Sequence, residues 1–352
     1  MTSRIEAMGV PMRYVTRLGS RVLFSLILLV CFSLSASAES SLPALKSPAN
    51  TPLKAAPKKV HLGVYINKIH DLNFENSTYG VVFWLYLTHA HKDDDIIKRV
   101  EVVNSKTMTI THQGQSRNPD GSYVSWAEFK GTIFYTFDMK QYPLDQQTLA
   151  LSVEDNDLDS DHLQFVVSPN QRVNQVMSPE AVGSNWQVLS VDSRVRDYHY
   201  DTNFGNVSQG EGSDYSRVTV SVHIERVGLR MFFSLFFVLY LAFLVSLYAL
   251  VFPNESMFFN SRAQLLSAAI FALVGNRIIT DRVMVNAMSF SLVDKMQLLT
   301  LVFVALNVVC LRVTGYLRNT RGVKHTYRIN TLLALLMLSL YALANYLIFY
   351  FR

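Results

Sequence analysis

Residues 137 to 147 read Phe137-Asp138-Met139-Lys140-Gln141-Tyr142-Pro143-Leu144-Asp145-Gln146-Gln147. Pro and Asp are turn formers, and the runs Gly131 to Phe137 and Gln147 to Val153 on either side have strand character. Similar runs recur at His61 to Ile66, Val81 to Thr88, Thr107 to Thr111, Gln187 to Val191 and Val218 to Ile224, separated by Gly, Asn, Asp and Pro. Frequent short strands with no long helical period predict an antiparallel β-sandwich over residues 60 to 225. In Val81 to Thr88 strict alternation puts Val81, Phe83, Leu85 and Leu87 on one face and Val82, Trp84, Tyr86 and Thr88 on the other. Both faces carry apolar bulk, so one is expected to meet the core and the other a neighbouring chain.

After this region the composition changes. Four apolar windows follow, Val227 to Phe252, Arg262 to Ile279, Met296 to Leu317 and Ile329 to Phe351, each near the roughly 20 residues that cross a bilayer. The chain as a whole is 50% hydrophobic and 17% charged, too apolar for disorder and too charged for a wholly embedded protein. Residues 39 to 225 hold 16 Lys and Arg against 23 Asp and Glu, net −7, whereas residues 226 to 352 hold 12 against 3, net +9. The positive excess therefore lies among the apolar windows, which argues against a nucleic-acid partner.

The N-terminus has Arg13, Arg17 and Arg21, the apolar stretch Val22 to Phe32, and Ala36-Ser37-Ala38, in the order of a secretory signal. Cleavage is expected after Ala38, with residues 39 to 59, which carry four prolines, as an extended leader. The soluble part is then exported, and four spans return the C-terminus outside. Arg318, Arg321, Lys324 and Arg328, with no acid among them, fall in the last connection, which that topology makes cytoplasmic, as the positive-inside rule requires. With Cys31 in the signal and Cys310 in a span, no intrachain disulfide is expected.

Catalytic signatures such as G-x-S-x-G, a phosphate-cradling Gly-rich loop or H-E-x-x-H do not occur, so no enzyme and no cofactor is predicted. His89, His91 and Asp93 could ligate a metal, but a polar turn is the better reading because a fourth ligand is not evident. Asp155, Asp157 and Asp159 alternate as oxygen ligands of Ca²⁺ do, yet the Gly and terminal Glu of an EF-hand loop are missing. An ordinary acidic loop is favoured over this weak Ca²⁺ candidate.

The segment quoted first resembles the signature loop of the pentameric ligand-gated ion channels, the Cys-loop receptor superfamily: aromatic, Pro, aromatic or aliphatic, Asp, then Gln. Tyr135 and Leu149 stand where the two loop cysteines would be, as in the bacterial branch, which lacks them. Val64-Tyr65-Ile66-Asn67-Lys68-Ile69 resembles the family's first strand, Tyr215-Ser216-Arg217-Val218-Thr219-Val220 its last, and Glu225-Arg226 precedes the first span. The resemblance covers essentially everything after Val60. It implies an N-terminal extracellular antiparallel β-sandwich followed by a four-helix transmembrane domain, assembled as a homopentamer in the bacterial inner membrane and conducting inorganic ions.

By that resemblance the second window is the pore-lining helix. At about 100° per residue, Gln264, Ala268, Phe271, Gly275, Ile278 and Arg282 fall within roughly 40° of one line. Phe271, where the family usually has Leu, and Ile278 would form apolar rings that close by dewetting. Arg277 lies off that line and is expected to pair with Asp281. Asn260 and Ser261 stand where cation-conducting relatives carry an inner Glu ring, and five Arg282 side chains would repel cations, so anion or weak selectivity is expected.

A ligand would sit between subunits, with Tyr198, Tyr200 and Phe204 of the hairpin from Tyr198 to Tyr215 on one side and Trp84 and Tyr86 on the other. Such aromatics suit an organic cation such as a small amine, which cation–π contact recognises. Gating would pass through Pro143 and an Asp145–Arg226 ion pair, with Glu75 as a third charge. The family's W-x-P segment is missing, His89 replaces a Trp, and Val283 to Val293 lacks prolines, so ligand identity does not transfer. Protons acting on His199 and His223 are the alternative stimulus, and a non-conducting receptor of the same fold is the alternative function.

Overall fold

The structure is a computed structural model that describes residues 56–92, 96–167, 177–178, 180–205, 212–252, 256–284, 289–321 and 323–351. The proposed signal and most of the leader, and Asp93 of the possible His metal site, lie outside these residues.

Among the described residues nine strands form two sheets. The strands are β1 (Lys58–Asn73), β2 (Thr78–His89), β3 (Val100–Val102), β4 (Ser105–Arg117), β5 (Tyr123–Phe134), β6 (Gln146–Asp155), β7 (Leu163–Val167), β8 (Trp186–Tyr200) and β9 (Ser213–Arg226). One sheet has the order β4-β5-β2-β1-β7 and the other β3-β6-β9-β8. Alternation drives the packing: Val81, Phe83, Leu85 and Leu87 of β2 are each at most 1% exposed, as are Val218, Val220 and Ile224 of β9. These residues belong to one hydrophobic core shared by both sheets. Burying each side chain of this size contributes about 1.5–3 kcal/mol. The Tyr79 hydroxyl donates to Ala150 O at 2.8 Å, so its buried polar atom is satisfied across the gap between the sheets.

The sheets depart from the expected all-antiparallel pattern at one edge. β7 pairs with β1 in parallel, Lys58 opposite Leu163 and Lys59 opposite Gln164. This pairing draws Lys58 and Lys59 into β1, so the strand starts inside the expected leader. The strand expected at Gly131 to Phe137 is instead Tyr123–Phe134, and Tyr135 to Phe137 already belong to the following loop.

Four helices follow: α1 (Arg230–Val251), α2 (Phe259–Val283), α3 (Leu292–Arg321) and α4 (Val323–Tyr350). Each is long and apolar enough to cross a membrane, as in a multi-pass membrane protein. Gly228, at φ +92°, lets the chain turn from β9 into α1. The basic connection expected between the last two spans is mostly helical, with α3 running to Arg321 and α4 starting at Val323.

Polar residues knit the bundle where apolar contact alone would not fix register. The Asn276 amide donates to Leu235 O, Gln297 Nε2 to Thr280 Oγ1 and Asn307 Nδ2 to Ser246 Oγ, at 3.1, 3.0 and 2.9 Å. Arg262 is 8% exposed and donates to Ala249 O and Leu250 O, capping the carbonyl end of α1 with a cation.

Candidate functional site

Three groups of side chains carry the chemistry. The first is the junction between β9 and α1. Asp145, 1% exposed, accepts from Arg226 Nε at 2.8 Å and Nη2 at 3.3 Å, and from Gln147 Nε2 at 2.8 Å. The Arg226 backbone N–H also donates to Asp145 O at 3.1 Å. The guanidinium lies 4.3 Å from the Trp186 ring centroid, 5.2 Å from Tyr142 and 5.4 Å from Phe74. A planar cation with a bidentate carboxylate and three rings around it is held far more tightly than a surface pair. Burial pushes the Tyr142 phenol up, with Arg226 opposing and Asp145 reinforcing that rise. Pro143 is buried in the same loop and follows Tyr142 through a cis peptide. Glu75 is exposed on the β1–β2 turn, beside Phe74, whose ring lies against the guanidinium. Phe74 and Trp186 were missed in the sequence because ring stacking on an arginine leaves no local pattern.

The second group is the β8–β9 hairpin. Tyr198, Tyr200, Phe204 and Tyr215 form a chain of edge-on rings, with centroids 4.8 Å apart for Tyr198 and Tyr200, 5.3 Å for Tyr200 and Phe204, and 6.1 Å for Phe204 and Tyr215. Gly205, at φ +85°, turns the chain beside Phe204. Arg217 stacks on Tyr198 at 3.5 Å and is ion-paired to Glu154 of β6. Tyr200 Oη donates to Glu154 Oε2 at 2.9 Å and accepts from Arg217 Nη2 at 2.9 Å. Burial and then the hydrogen bond to Glu154 push the Tyr200 phenol up. Burial would lower the Arg217 pKa, but the Glu154 bond and charge more than offset it, so the guanidinium is raised.

Trp84 and Tyr86 lie elsewhere, on the outer face of the five-stranded sheet, with ring centroids 6.4 Å apart. His112 stacks beside Trp84 at 6.3 Å, and Glu128 stands opposite Trp84 in the β2–β5 register. Glu128 accepts from Thr111 Oγ1 at 2.6 Å, pairs with His112 Nδ1 at 3.0 Å and accepts from Asn67 Nδ2 at 3.3 Å. The Thr111 and His112 hydrogen bonds hold its carboxyl below the usual range. Within one chain the hairpin aromatics and the Trp84–Tyr86 pair are thus separate surfaces.

The third group is on α2. Ala269, Leu273, Asn276 and Thr280 are buried and face the bundle. Gln264, Ala268, Phe271, Gly275, Ile278 and Arg282 are all exposed, Phe271 at 75% and Ile278 at 53%. At about 100° per residue the exposed line is centred roughly 30° from the direction diametrically opposite the buried face. Arg277 pairs with Asp281 at 2.7 Å and with Asp294, and also donates to Gln297 at 3.3 Å, so it ties α2 to α3. Asp281 is thereby matched by a cation, and Arg282 carries no ion pair among the described residues.

The acidic run does not converge. The Asp155 carboxylate takes Arg99 Nε at 3.2 Å and the backbone N–H groups of Asp157 and Leu158. Asp159 is engaged by His162, and Asp157 is exposed. Both ring nitrogens of His89 are also used, Nδ1 with His91 O and Nε2 with Ser125 Oγ, each at 2.8 Å. Among the described residues no group of three or more His, Cys, Asp or Glu is placed to hold a metal ion. Of the two sensor candidates, His199 pairs with Asp214 at 2.9 Å and His223 with Asp192 at 3.1 Å. No family model matches the chain, and no curated protein is significantly similar to it.

Proposed function

We propose that the chain is a subunit of a homopentameric ligand-gated ion channel of the bacterial inner membrane, with its β region outside. The observation that carries this reading is the second helix, which turns a full-length stripe from Gln264 to Arg282 away from its own bundle. The other helices also expose apolar side chains, Phe233 and Phe237 on α1 and Leu332 and Leu335 on α4 among them, as lipid-facing helices do; the α2 stripe differs in carrying the polar Gln264 and the charged Arg282, which lipid disfavours. Five such stripes around an axis enclose a conduit with polar Gln264 at the inner end, apolar rings at Phe271 and Ile278, and Arg282 at the outer mouth. The apolar rings close the pore by dewetting, and opening requires them to widen.

Stimulus reaches the pore through the β9–α1 junction. The hairpin and the last strand are continuous, β9 ends at Arg226, and Arg226 is locked to Asp145 of the loop before β6. Any shift of the hairpin strand is therefore delivered to the start of α1 as displacement of a buried ion pair. A ligand binds between the hairpin of one subunit and the Trp84–Tyr86 surface of the next, which completes a site that one chain leaves in halves. With Asp281 matched by Arg277, the outer mouth is set by Arg282, and the pore favours anions or discriminates weakly.

A non-conducting receptor of the same architecture is favoured by one observation, the bulk of Phe271 on the stripe. Planar-bilayer recording of the purified protein under a salt gradient tests both. Current that responds to a stimulus supports the channel, and silence from verified pentamers that still bind a ligand assigns the receptor.

A further inference from the structure

The hairpin aromatics already hold a cation. Arg217 lies 3.5 Å from the Tyr198 centroid and 5.9 Å from that of Tyr200. It donates through Nε to Glu154 Oε1 and through Nη2 to Tyr200 Oη, and the Tyr200 hydroxyl returns a hydrogen bond to Glu154 Oε2. Glu154 is 6% exposed at its side chain, so its charge is matched by this one guanidinium. The arrangement selects shape as well as charge: a flat group with donors on two nitrogens satisfies the carboxylate, the phenol oxygen and the ring face together. An ammonium, a compact point charge with three donors, lacks the planar face and fixed fork that stack on Tyr198 while aiming donors at Glu154 and Tyr200.

We propose that this box is a guanidinium site closed by the chain's own Arg217, and that its ligands are small guanidines or amidines that take the guanidinium's place on Tyr198 and Glu154. The inference rests on the reading of the hairpin as a ligand-binding element and names the class of ligand. The surroundings favour a cation. Burial raises the Tyr215 phenol at the edge of the box, and the carboxylates Asp159, Glu154, Asp155 and Asp157 raise it further. The site is open to solvent on its outer side, with Tyr198 44% and Phe204 61% exposed. Arg217 side-chain torsions alone vacate the box without breaking the strand ladder.

The test is calorimetric titration of the full-length protein in detergent with methylguanidinium, with methylammonium as the comparison. Arg217→Ala empties the box and is expected to bind methylguanidinium about tenfold or more tightly than the unaltered protein. Adding Glu154→Gln to that variant removes the gain, and methylammonium binds it about tenfold more weakly than methylguanidinium does. Because Arg217→Ala strands a buried carboxylate and can fail to fold, Arg217→Lys, which keeps the charge but not the planar fork, is titrated beside it and is also expected to gain affinity. Equal affinities for the unaltered protein and whichever of these variants folds, or a gain that survives Glu154→Gln, overturn the proposal. Binding is read without current, so the expected affinities in a protein that passes no ions remove the channel reading alone. Conduction with unchanged affinities removes this proposal alone.

Discussion

Arg226 gathers a buried carboxylate and three aromatic rings around one guanidinium. Its charge is buried against Asp145 and enclosed by Trp186, Tyr142 and Phe74. Arg226→Gln leaves the carboxylate without its cation in a site nearly closed to water, and should destabilise the β region by about 3–5 kcal/mol, measured by chemical denaturation of the purified protein. An unchanged midpoint would show that the pair is dispensable. Glu128 sits at the other extreme, partly exposed and held by neutral donors and His112. Its folded pKa is lowered from 4.5, first by the Thr111 bond and then by His112. A depressed carboxylate contributes stability above its unfolded value and loses that contribution as pH falls through the folded one. Glu128→Gln should therefore reduce stability at neutral pH and flatten its fall below pH 4.5, which thermal melts from about two units below to about two units above that value would detect.

At the scale of the element, α2 carries two opposite demands. One face, Ala269, Leu273, Asn276 and Thr280, binds it to its neighbours, while the stripe from Gln264 to Arg282 remains uncovered. Phe271→Ala shortens the bulkiest side chain on that stripe without touching the bundle. Resting leak in liposomes should rise with normal insertion, and an unaltered leak would remove Phe271 from the gate. Arg282→Glu reverses the charge at the C-terminal end of the stripe while leaving the Arg277–Asp281 pair intact. Reversal potential under a salt gradient should then move toward the cation value, and an unmoved potential would place Arg282 away from the ion path. The β8–β9 hairpin is the matching element in the β region, since Tyr215 and Arg217 lie on β9, which ends at the Asp145–Arg226 pair, and Tyr198 and Tyr200 lie on β8 paired to it.

For the whole molecule, the uncovered surfaces set the expected assembly. A single chain exposes Phe271 and Ile278 on α2 and Tyr86, beside the half-buried Trp84, on the five-stranded sheet, and a closed ring of identical subunits would cover the Trp84–Tyr86 surface at its repeated interface while turning the α2 stripe toward the axis. Native mass spectrometry of the detergent-solubilised protein should give five copies of the chain. A monomer that retains its secondary structure would leave the α2 stripe facing lipid and end the pore reading. Much of the architecture was legible in advance: alternation in Val81 to Thr88 separated the two faces of β2 without saying which is buried, and four apolar windows located the helices. β3, only three residues long, and β7, an edge strand paired in parallel, were not legible, because neither has enough alternation to stand out. The start of β1 at Lys58 was hidden for the same reason, since it depends on a partner strand over a hundred residues away.

The sequence by itself determined the two-part plan, the positions of the helices within a few residues and the line of residues along α2, because hydrophobic period is a local property that survives any tertiary arrangement. Tertiary structure alone decided which partners the charged and aromatic groups found. Glu154, read along the chain as one carboxylate in an acidic run, is the anion of a guanidinium box because the β6–β9 register sets it beside Arg217, 63 residues later. The rings around Arg226, the closure of His89 by His91 and Ser125, and the separation of the hairpin from Trp84 have the same origin. Each depends on strand order and register, which arise from how faces pack across the core rather than from any spacing along the chain.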